Sequence, residues 1–584
     1  MKRIKLFLIV ATLACFGALT SCSHAPADGE YTLHICSTND VHGRYFDSLY
    51  VGNRTQQSLI SVSEHVNELR AQAGAENVIL VDVGDCLQGD NAAYYYNYVD
   101  TKSPHLYIQM AEYMKYDAVV VGNHDIEAGH PVYDRIKKEM HIPFLAGNAF
   151  HEGTNKTYFQ DYTIVDNSGL KVAIIGFTNA NIKNWLEEKI WKGIEFKSLL
   201  PLVQETVDRV TAKENPDVVV VGVHSGNGLG DGSMYENQGL DLYKSLRGVD
   251  FLLTSHDHQP ATCSSDSICL INTGSRCKNL GHGVINVKVE NGKVVSKSLS
   301  CELIPVDKNK VDTVMREKFR PQFEAVRTFS TREIGKLDMD LRTRDAYRGM
   351  SSYVNLVHYA QLTGSSAEIS FAAPLTFNGF VKAGTLIYQD MFTVYPFENQ
   401  LFVSELKGSE ILNYLEDSYD HWINTVSSPK DDHILKISKR KDDRFGQDAW
   451  SFDYRSYNFD SAAGINYTVD ITKPKGERIN ITTLVDGRTF SVDSTYKTAM
   501  TSYRAAASGK VGAITLEEGI MQDRIIEKNK EIRDIIYDLV IEKGTLDDAL
   551  ISDKSIIGSW KFVPESIAEP LLDKDMALLF IKKE

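Results

Sequence analysis

NVILVDVGDCLQG, residues 77–89, is a strand-forming run that stops at Gly84-Asp85. Its Val/Ile/Leu content followed by a glycine and a carboxylate reads as a β-strand with a polar group at its carboxyl end. The same arrangement occurs four more times. TLHICST (32–38) precedes Asp40-Val41-His42, and DAVVV (117–121) precedes Gly122-Asn123-His124-Asp125. DVVVVGV (217–223) precedes His224-Ser225-Gly226, and DFLLT (250–254) precedes His256-Asp257-His258. Helix-like stretches separate most of these runs, so the pattern is one of repeated βα units feeding a mostly parallel sheet. In such sheets the ligand site lies beyond the carboxyl ends of the strands. A single buried histidine or a single Gly-Asp turn is ordinarily structural. Five chemically similar clusters at five strand ends point instead to one shared site.

The residue types fit metal ions. Asp40 and His42 stand at i and i+2, and on an extended segment such side chains face the same way. The pair is therefore expected to grip one ion, and so is a pair such as His256 and His258. Four histidines (His42, His224, His256, His258), two aspartates (Asp40, Asp85) and Asn123, with no thiolate, suit two ions of Zn²⁺, Mn²⁺ or Fe. Two divalent cations less two carboxylates leave a charge of about +2, which favours a phosphate dianion, the substrate of two-metal phosphate-ester hydrolases.

The order D-x-H, G-D, G-N-H-[DE], H and H-x-H resembles the calcineurin-type metallophosphoesterases. The fuller forms Thr38-Asn39-Asp40-Val41-His42-Gly43 and Gly84-Asp85-x-x-Gln88-Gly89 resemble the 5'-nucleotidase branch of that family. The resemblance implies a four-layer α/β/β/α metallophosphoesterase domain followed by an α+β C-terminal domain. It also implies that Asp40, His42, Asp85 and His258 hold a first metal, and that Asp85 bridges to a second completed by Asn123, His224 and His256. His124 would be the non-ligand histidine that steadies the phosphoryl group or the leaving oxygen. The family usually reads G-N-H-E-F-D at this point. Here the chain has Asp125-Ile126-Glu127, so any orienting of His124 falls to the longer arm of Glu127.

Lys2, Arg3 and Lys5 followed by the apolar run Leu6–Leu19 form a secretory signal, and about 14 apolar residues are too few to span a bilayer. Leu19-Thr20-Ser21-Cys22 resembles a bacterial lipobox, which places lipid on Cys22 after removal of residues 1–21 and leaves Ser23–Glu30 as a tether. The expected location is the bacterial cell envelope, anchored by lipid and facing the periplasm or the cell surface. Loss of residues 1–21 removes three positive charges and takes the net charge from −15 to −18. An acidic surface argues against nucleic-acid polymers, but not against a mononucleotide beside metal ions. Cys36 and Cys86 are expected to be buried thiols. Cys263, Cys269, Cys277 and Cys301 form a cluster in which a Cys263–Cys277 disulfide is the favoured pairing, although spacing alone does not assign it.

A chain of 584 residues exceeds one core, so two large domains are expected. Residues 31–304 form the metal domain, 305–340 the linker, 341–520 the second domain, and 521–584 an extension packed on it. Val311–Val326 reads as an amphipathic helix broken or bent at Pro321. Met521–Ile541 reads as helix, and Trp560 falls in a last strand or loop. Three segments of the second half resemble substrate-binding signatures of the same family: Tyr395-Pro396-Phe397-Glu398-Asn399, Phe459–Tyr467 with Gly464, and Ser502-Tyr503-Arg504-Ala505. They imply that Phe397 and Tyr503 stack on a base, with Asn399, Gly464 and Arg504 beside it. Each aromatic stacked on a base contributes ~1–3 kcal/mol. Where many 5'-nucleotidases carry N-x-G-G-[IL]-R, this chain has Ser370-Phe371-Ala372-Ala373-Pro374-Leu375 and no arginine. That version is closer to the 2',3'-cyclic-nucleotide 2'-phosphodiesterase/3'-nucleotidase subgroup. The expected function is an exported nucleotide phosphohydrolase serving nucleotide salvage. The alternatives are a phosphoesterase for a nucleotide sugar or another small ester, and a catalytically weak binding lipoprotein. The oligomeric state is not legible.

Overall fold

The computed structural model describes residues 26–52, 54–186, 188–397, 399–442, 447–505 and 524–580. The expected signal segment and Cys22 lie outside the described residues. In the metal domain two six-stranded sheets lie face to face. The first contains β1 (Gly29–Thr38), β2 (Val78–Asp82), β3 (Ala118–Val120) and β4 (Phe144–Leu145). The second contains β5 (Tyr162–Asn167), β6 (Leu170–Phe177), β7 (Val218–Val223), β8 (Phe251–Thr254), β9 (Ala261–Ser264) and β10 (Cys269–Asn272). The long hairpin β11 (Asn279–Glu290) and β12 (Lys293–Pro305) returns to the first sheet. The strand orders are β12-β11-β1-β2-β3-β4 and β9-β10-β8-β7-β6-β5. The neighbours β1/β2/β3/β4 and β6/β7/β8/β10 are parallel.

Period-2 alternation explains why these strands are apolar throughout. Leu33, Ile35, Ile79 and Val81 of the first sheet meet Val172, Ile174, Val218, Val220 and Leu253 of the second. The alternate residues Cys36, Val78 and Leu80 face helices such as Leu59–Ala73, while Val219, Val221 and Val223 face the helix Leu199–Glu214. The result is the four-layer α/β/β/α sandwich, in which the parallel strands end on one side.

The chain then forms two short helices, Thr313–Lys318 and Arg320–Ser330. The break falls at Phe319, two residues ahead of Pro321, because proline is accommodated in the first turn of the second helix. Met315, Phe319 and Val326 belong to the core of the metal domain. Phe329, at the end of the second helix, stands against Tyr94, Tyr95 and Tyr388 with ring centroids 4.5–6.1 Å apart. Asn91 donates to both Ser330 Oγ and Gln389 Oε1 at 2.7 Å. This seam ties the segment behind the Gly84–Gly89 loop to the second domain.

The second domain is built on a five-stranded sheet. Its strands are β13 (Ile369–Ala372), β14 (Gln400–Lys407), β15 (Ser461–Ala463), β18 (Thr495–Thr501) and β19 (Ile525–Glu531), in the order β15-β13-β18-β14-β19. The intervening β16 (Ile465–Asp470) and β17 (Ile479–Leu484) pair with a late strand, β20 (Gly558–Val563). Residues beyond 524 are therefore woven into the domain. The expected helix over 521–541 begins only at Ile532, since Ile525–Glu531 pairs with β14 as an edge strand. Trp560 lies in β20, and the helix Glu565–Leu579 is held by buried Asp575, which accepts from His433 and from the Leu435 N–H.

The cysteine cluster differs from expectation. Cys277 is buried in the helix-side core near the Arg44 carbonyl, whereas Cys263 lies on the outer face of the second sheet, so the Cys263–Cys277 bridge is not formed. All six described cysteines are free thiols, and Cys301 Sγ lies 3.6 Å from the Cys263 carbonyl and 3.7 Å from that of Leu270.

Candidate active site

The ligand candidates do not sit on extended backbone as their i, i+2 spacing suggests. Asp40, His42, Asp85, His256 and His258 adopt φ of 48°, 47°, 61°, 71° and 57°. This left-handed region is uncommon for residues with a Cβ and costs ~1–3 kcal/mol at each position. Hydrogen bonds across the strand ends hold it: Asp40 N to Gly84 O and His42 N to Asp85 O, both 2.9 Å. His256 N donates to Asp40 Oδ2 at 2.9 Å. The strand-end loops thus brace one another.

Two groups of potential ligands result. Asp40, His42 and His258 bring donor atoms within 4.8 Å of one another, and so do Asp85, His224 and His256. His256 and His258 therefore divide between the two groups, against the expectation that such a pair grips one ion. Successive left-handed turns aim the rings apart. His42 and His258 meet through their Nε2 atoms at 2.9 Å. Asn123 Oδ1 lies 3.0 Å from His224 Nε2 and 2.8 Å from His256 Nδ1, which places it with the second group. Asp85 Oδ2 is 3.1 Å from His224 Nε2, and its Oδ1 accepts from the His124 N–H.

The donor set fits cations. Asp40 Oδ1 is fully buried without a hydrogen-bond donor, an arrangement that is costly for a carboxylate unless a cation completes it. The far imidazole nitrogens of His42, His224 and His256 already have partners. His42 Nδ1 lies 2.9 Å from Gln88 Oε1, His224 Nδ1 2.7 Å from the Val83 carbonyl, and His256 Nε2 2.8 Å from Glu236 Oε1. Each acceptor selects the tautomer whose lone pair points at the site, as the outer partners of metal-binding histidines do. Burial, aided by the neighbouring His258, pushes His42 down to about 3, so it is a neutral donor. Burial also opposes charge on His224, but the adjoining Asp85 carboxylate outweighs it and raises the imidazole to about 9; a cation bound at Asp85 would take the place of that proton. Space at this point is tight: a Cβ on Gly122 would stand 2.1 Å from Asp85 Oδ1.

Two acids near His124 have distinct jobs. Asp125 accepts from the N–H groups of Asp85, Cys86, Leu87 and Gly122 and so shapes the ligand loop. Glu127 pairs with His124 Nδ1 one helical turn away, which reconciles the altered spacing with an orienting role. His124 is partly exposed, with its ring centroid 5.5 Å from that of His42.

The site opens into a cleft of about 900 Å³. The metal domain contributes His42, His124, Glu127, His256 and His258, and the second domain contributes Phe397, Asn399, Tyr457, Tyr503 and Arg504. Phe397 and Tyr503 each stand edge-on to Tyr457, with centroids 5.8 and 6.4 Å away and interplanar angles of 79° and 87°. Two expected substrate contacts are placed otherwise. Gly464 does not line the cleft. It has φ 84° between β15 and β16, where a Cβ would lie 2.0 Å from the Glu368 carbonyl. Arg504 is in the wall, but its guanidinium is buried and bound to Asp460 (2.7 Å), Asn458 (2.9 Å) and the Tyr457 carbonyl (2.6 Å). It supports the aromatic wall. Sequence reasoning missed Glu236, Tyr457 and Trp185, which stacks on His256 at 5.2 Å. Glu236 and Trp185 sit in irregular or short-helix segments with no strand to flag them, and a lone aromatic such as Tyr457 is ordinarily core.

The comparisons agree with this geometry. The calcineurin-like phosphoesterase family matches residues 33–260, and the 5'-nucleotidase C-terminal domain family matches residues 331–518. The chain belongs to the 5'-nucleotidase family of calcineurin-like phosphoesterases. It is 24% identical to a 5'-nucleotidase of Vibrio cholerae over 90% of this chain and 95% of that one. It is also 24% identical to a 2',3'-cyclic-nucleotide 2'-phosphodiesterase/3'-nucleotidase of Haemophilus influenzae, over 78% of this chain and 76% of that one. A trifunctional nucleotide phosphoesterase of Bacillus subtilis is 23% identical over 94% of this chain, which spans only 41% of that longer protein. The fold is shared with a solved Staphylococcus aureus protein assigned to the 5'-nucleotidases, with TM-score 0.71, 20% identity, and coverage of 91% of this chain and 99% of that one. The protein is a metal-dependent phosphoester hydrolase.

Asp85→Asn is expected to lose much of the bound metal and nearly all turnover, because Asp85 lies beside both groups and is the only carboxylate in the second. Elemental analysis alongside kinetics checks this, and normal activity with full metal content would overturn the site. His124→Ala is expected to keep its metal while kcat falls ~10²–10⁴-fold, the range for loss of a positioned proton donor. Loss of metal in that variant would make His124 a ligand instead.

Proposed function

We propose that this protein hydrolyses phosphate esters of nucleotides, and that its site holds two divalent ions of Zn, Mn or Fe. The observation that carries this reading is one cleft with the metal-ligand groups on one wall and Phe397, Tyr457 and Tyr503 on the other. Asp40, His42 and His258 would hold one ion and Asn123, His224 and His256 the other, with Asp85 a further ligand in the second group. When bound, the ions supply Lewis acidity toward phosphoryl oxygens and lower the pKa of attacking water. With Nδ1 on Glu127, His124 presents its Nε2–H to the phosphoryl group or the departing ribose oxygen. Phe397 and Tyr503 take the base between them, Tyr457 closes the back of that slot, and Asn399 offers an amide to the base edge. Arg504, locked on Asp460, keeps Tyr503 in place. The base is thereby fixed by the second domain while the phosphate is fixed by the first.

The wall formed by Ala372, Ala373 and Leu375 carries no cation. We therefore expect hydrolysis of 2',3'-cyclic or 3'-nucleotides alongside, or above, that of 5'-nucleotides. A panel of nucleoside 5'-, 3'- and 2',3'-cyclic phosphates tests this, and strict 5'-monophosphate preference would contradict it. Phe397→Ala and Tyr503→Ala should each raise KM for nucleotides by ~5–100-fold, matching the loss of one stacked aromatic. Hydrolysis of an aryl phosphate, which has no base to stack, should change little in the same variants.

The cell-envelope location rests on Lys2, Arg3, Lys5, the apolar run to Leu19 and Cys22. An enzyme exported and tethered there would release nucleoside and phosphate from nucleotides that do not cross membranes, in service of salvage. Cys22→Ser should free the protein from membranes or block its processing. Mass spectrometry finding no acyl group on the mature wild-type chain would refute the anchor.

A further inference from the structure

Three basic side chains, Arg276, Lys278 and Arg455, line the cleft. Among the described residues none of the three makes a side-chain hydrogen bond or an ion pair within 4.0 Å. The acidic groups of the same cleft are all engaged. Glu127 is on His124, Glu236 on His256, and Asp460 on Arg504. Asp257 accepts from the N–H groups of Asn227 and Gln259 and from the Asn272 amide. Arg276, Lys278 and Arg455 are therefore the charged groups of the cleft whose hydrogen-bond donors are uncommitted, in a chain whose net charge is −15. Cationic side chains with uncommitted donors favour an anion at this mouth.

Arg276 differs from the other two in how it is mounted. Its backbone N–H donates to the carbonyl of the metal-ligand candidate Asp40 at 2.7 Å. The preceding residues are stitched to Asn39: Thr273 N and Oγ1 donate to Asn39 Oδ1, and Asn39 Nδ2 donates to the Gly274 carbonyl. Arg276 and Cys277 are both left-handed, with φ 57° and 55°, and Cys277 is buried behind them. Two successive residues of this kind cost ~1–3 kcal/mol each, and they persist where the surrounding structure over-determines the backbone. The guanidinium is thus carried on a braced loop fixed to the first ligand group, whereas Arg455 belongs to the aromatic wall, beside the short helix that carries Tyr457.

We propose that Arg276 clamps the phosphoryl group of the substrate, donating paired N–H groups to two of its non-bridging oxygens while the phosphate lies at the metal centre. The planar fork of arginine matches a phosphate bidentately, which an ammonium does not. The clamp comes from the metal domain, so phosphate recognition stays with the metals and does not depend on the base being seated. This rests on the phosphohydrolase reading but not on nucleotides being the substrates.

The test uses the metal-loaded full chain and inorganic phosphate as the probe. Titration calorimetry on Arg276→Gln is expected to show phosphate affinity reduced roughly 10–100-fold, the effect of losing a charged hydrogen-bond donor. Metal content should be unchanged, and kcat/KM for p-nitrophenyl phosphate should fall in parallel. Arg276→Lys should recover part of the affinity, since charge returns without the fork. Unchanged phosphate affinity in Arg276→Gln overturns the proposal. Equal losses in the Gln and Lys variants with metal depleted overturn it too, because they would show that the loop serves only to hold Asp40. If phosphate binding depends on Arg276 and nucleotides are not hydrolysed, the clamp stands and the nucleotide assignment falls.

Discussion

The burial of two carboxylates, Asp40 and Asp85, at the ends of neighbouring parallel strands is the constraint on which the rest depends. Both are withdrawn from water, at 0% and 1% exposure, and a charge so placed is tolerated only among compensating partners. Around Asp85 the partners are His224 and the His124 N–H; around Asp40 they are the His256 N–H and the Asn39 amide at Oδ2. Asp40 Oδ1 accepts no hydrogen bond, and its lone pairs face the Nε2 atoms of His258 and His42 at 3.4 and 3.8 Å inside the site. The imidazoles, the left-handed turns and the closely packed Gly122 follow from the need to surround these oxygens.

The same economy separates ligand from support. Gln88, Glu236 and the Val83 carbonyl take the far nitrogens of the imidazoles, and Asp125 binds the amides of the loop that carries Asp85. Glu127 holds His124 through its Nδ1. On the opposite wall Arg504 and Asp460 form a buried ion pair behind the aromatic residues. An interaction of this type adds little net stability but is strongly destabilising when one partner is removed. It keeps the base-binding wall stiff, while the seam through Asn91, Phe329 and Gln389 keeps that wall in front of the metal groups.

Because the two walls belong to different domains, the proposed function assigns phosphate and base to different parts of the chain. On the proposed reading the metal-ligand groups and Arg276 act on the phosphate, whereas Phe397, Tyr457 and Tyr503 add selectivity for what is attached to it. Loss of the aromatic wall is then a loss of affinity for nucleotides, and loss of the metal wall is a loss of chemistry.

Much of this was legible in the chain itself. Five apolar runs ending in polar clusters determined the parallel strands and the candidate metal ligands, because a strand buried on both faces must be apolar and a site at its end must supply the polar atoms. The order of those clusters was enough for the family. Tertiary structure alone decided which ligand goes with which, since His256 and His258 part company through φ angles that spacing does not encode. It also decided that Gly464 is a close-approach residue and Arg504 a support, because both roles arise from neighbours, the Glu368 carbonyl and Asp460, that are distant in sequence from the residue they constrain. Glu236, Trp185 and Tyr457 were invisible for the same reason: each comes from an irregular or short segment whose place is set by the packing of the sandwich and the docking of the second domain.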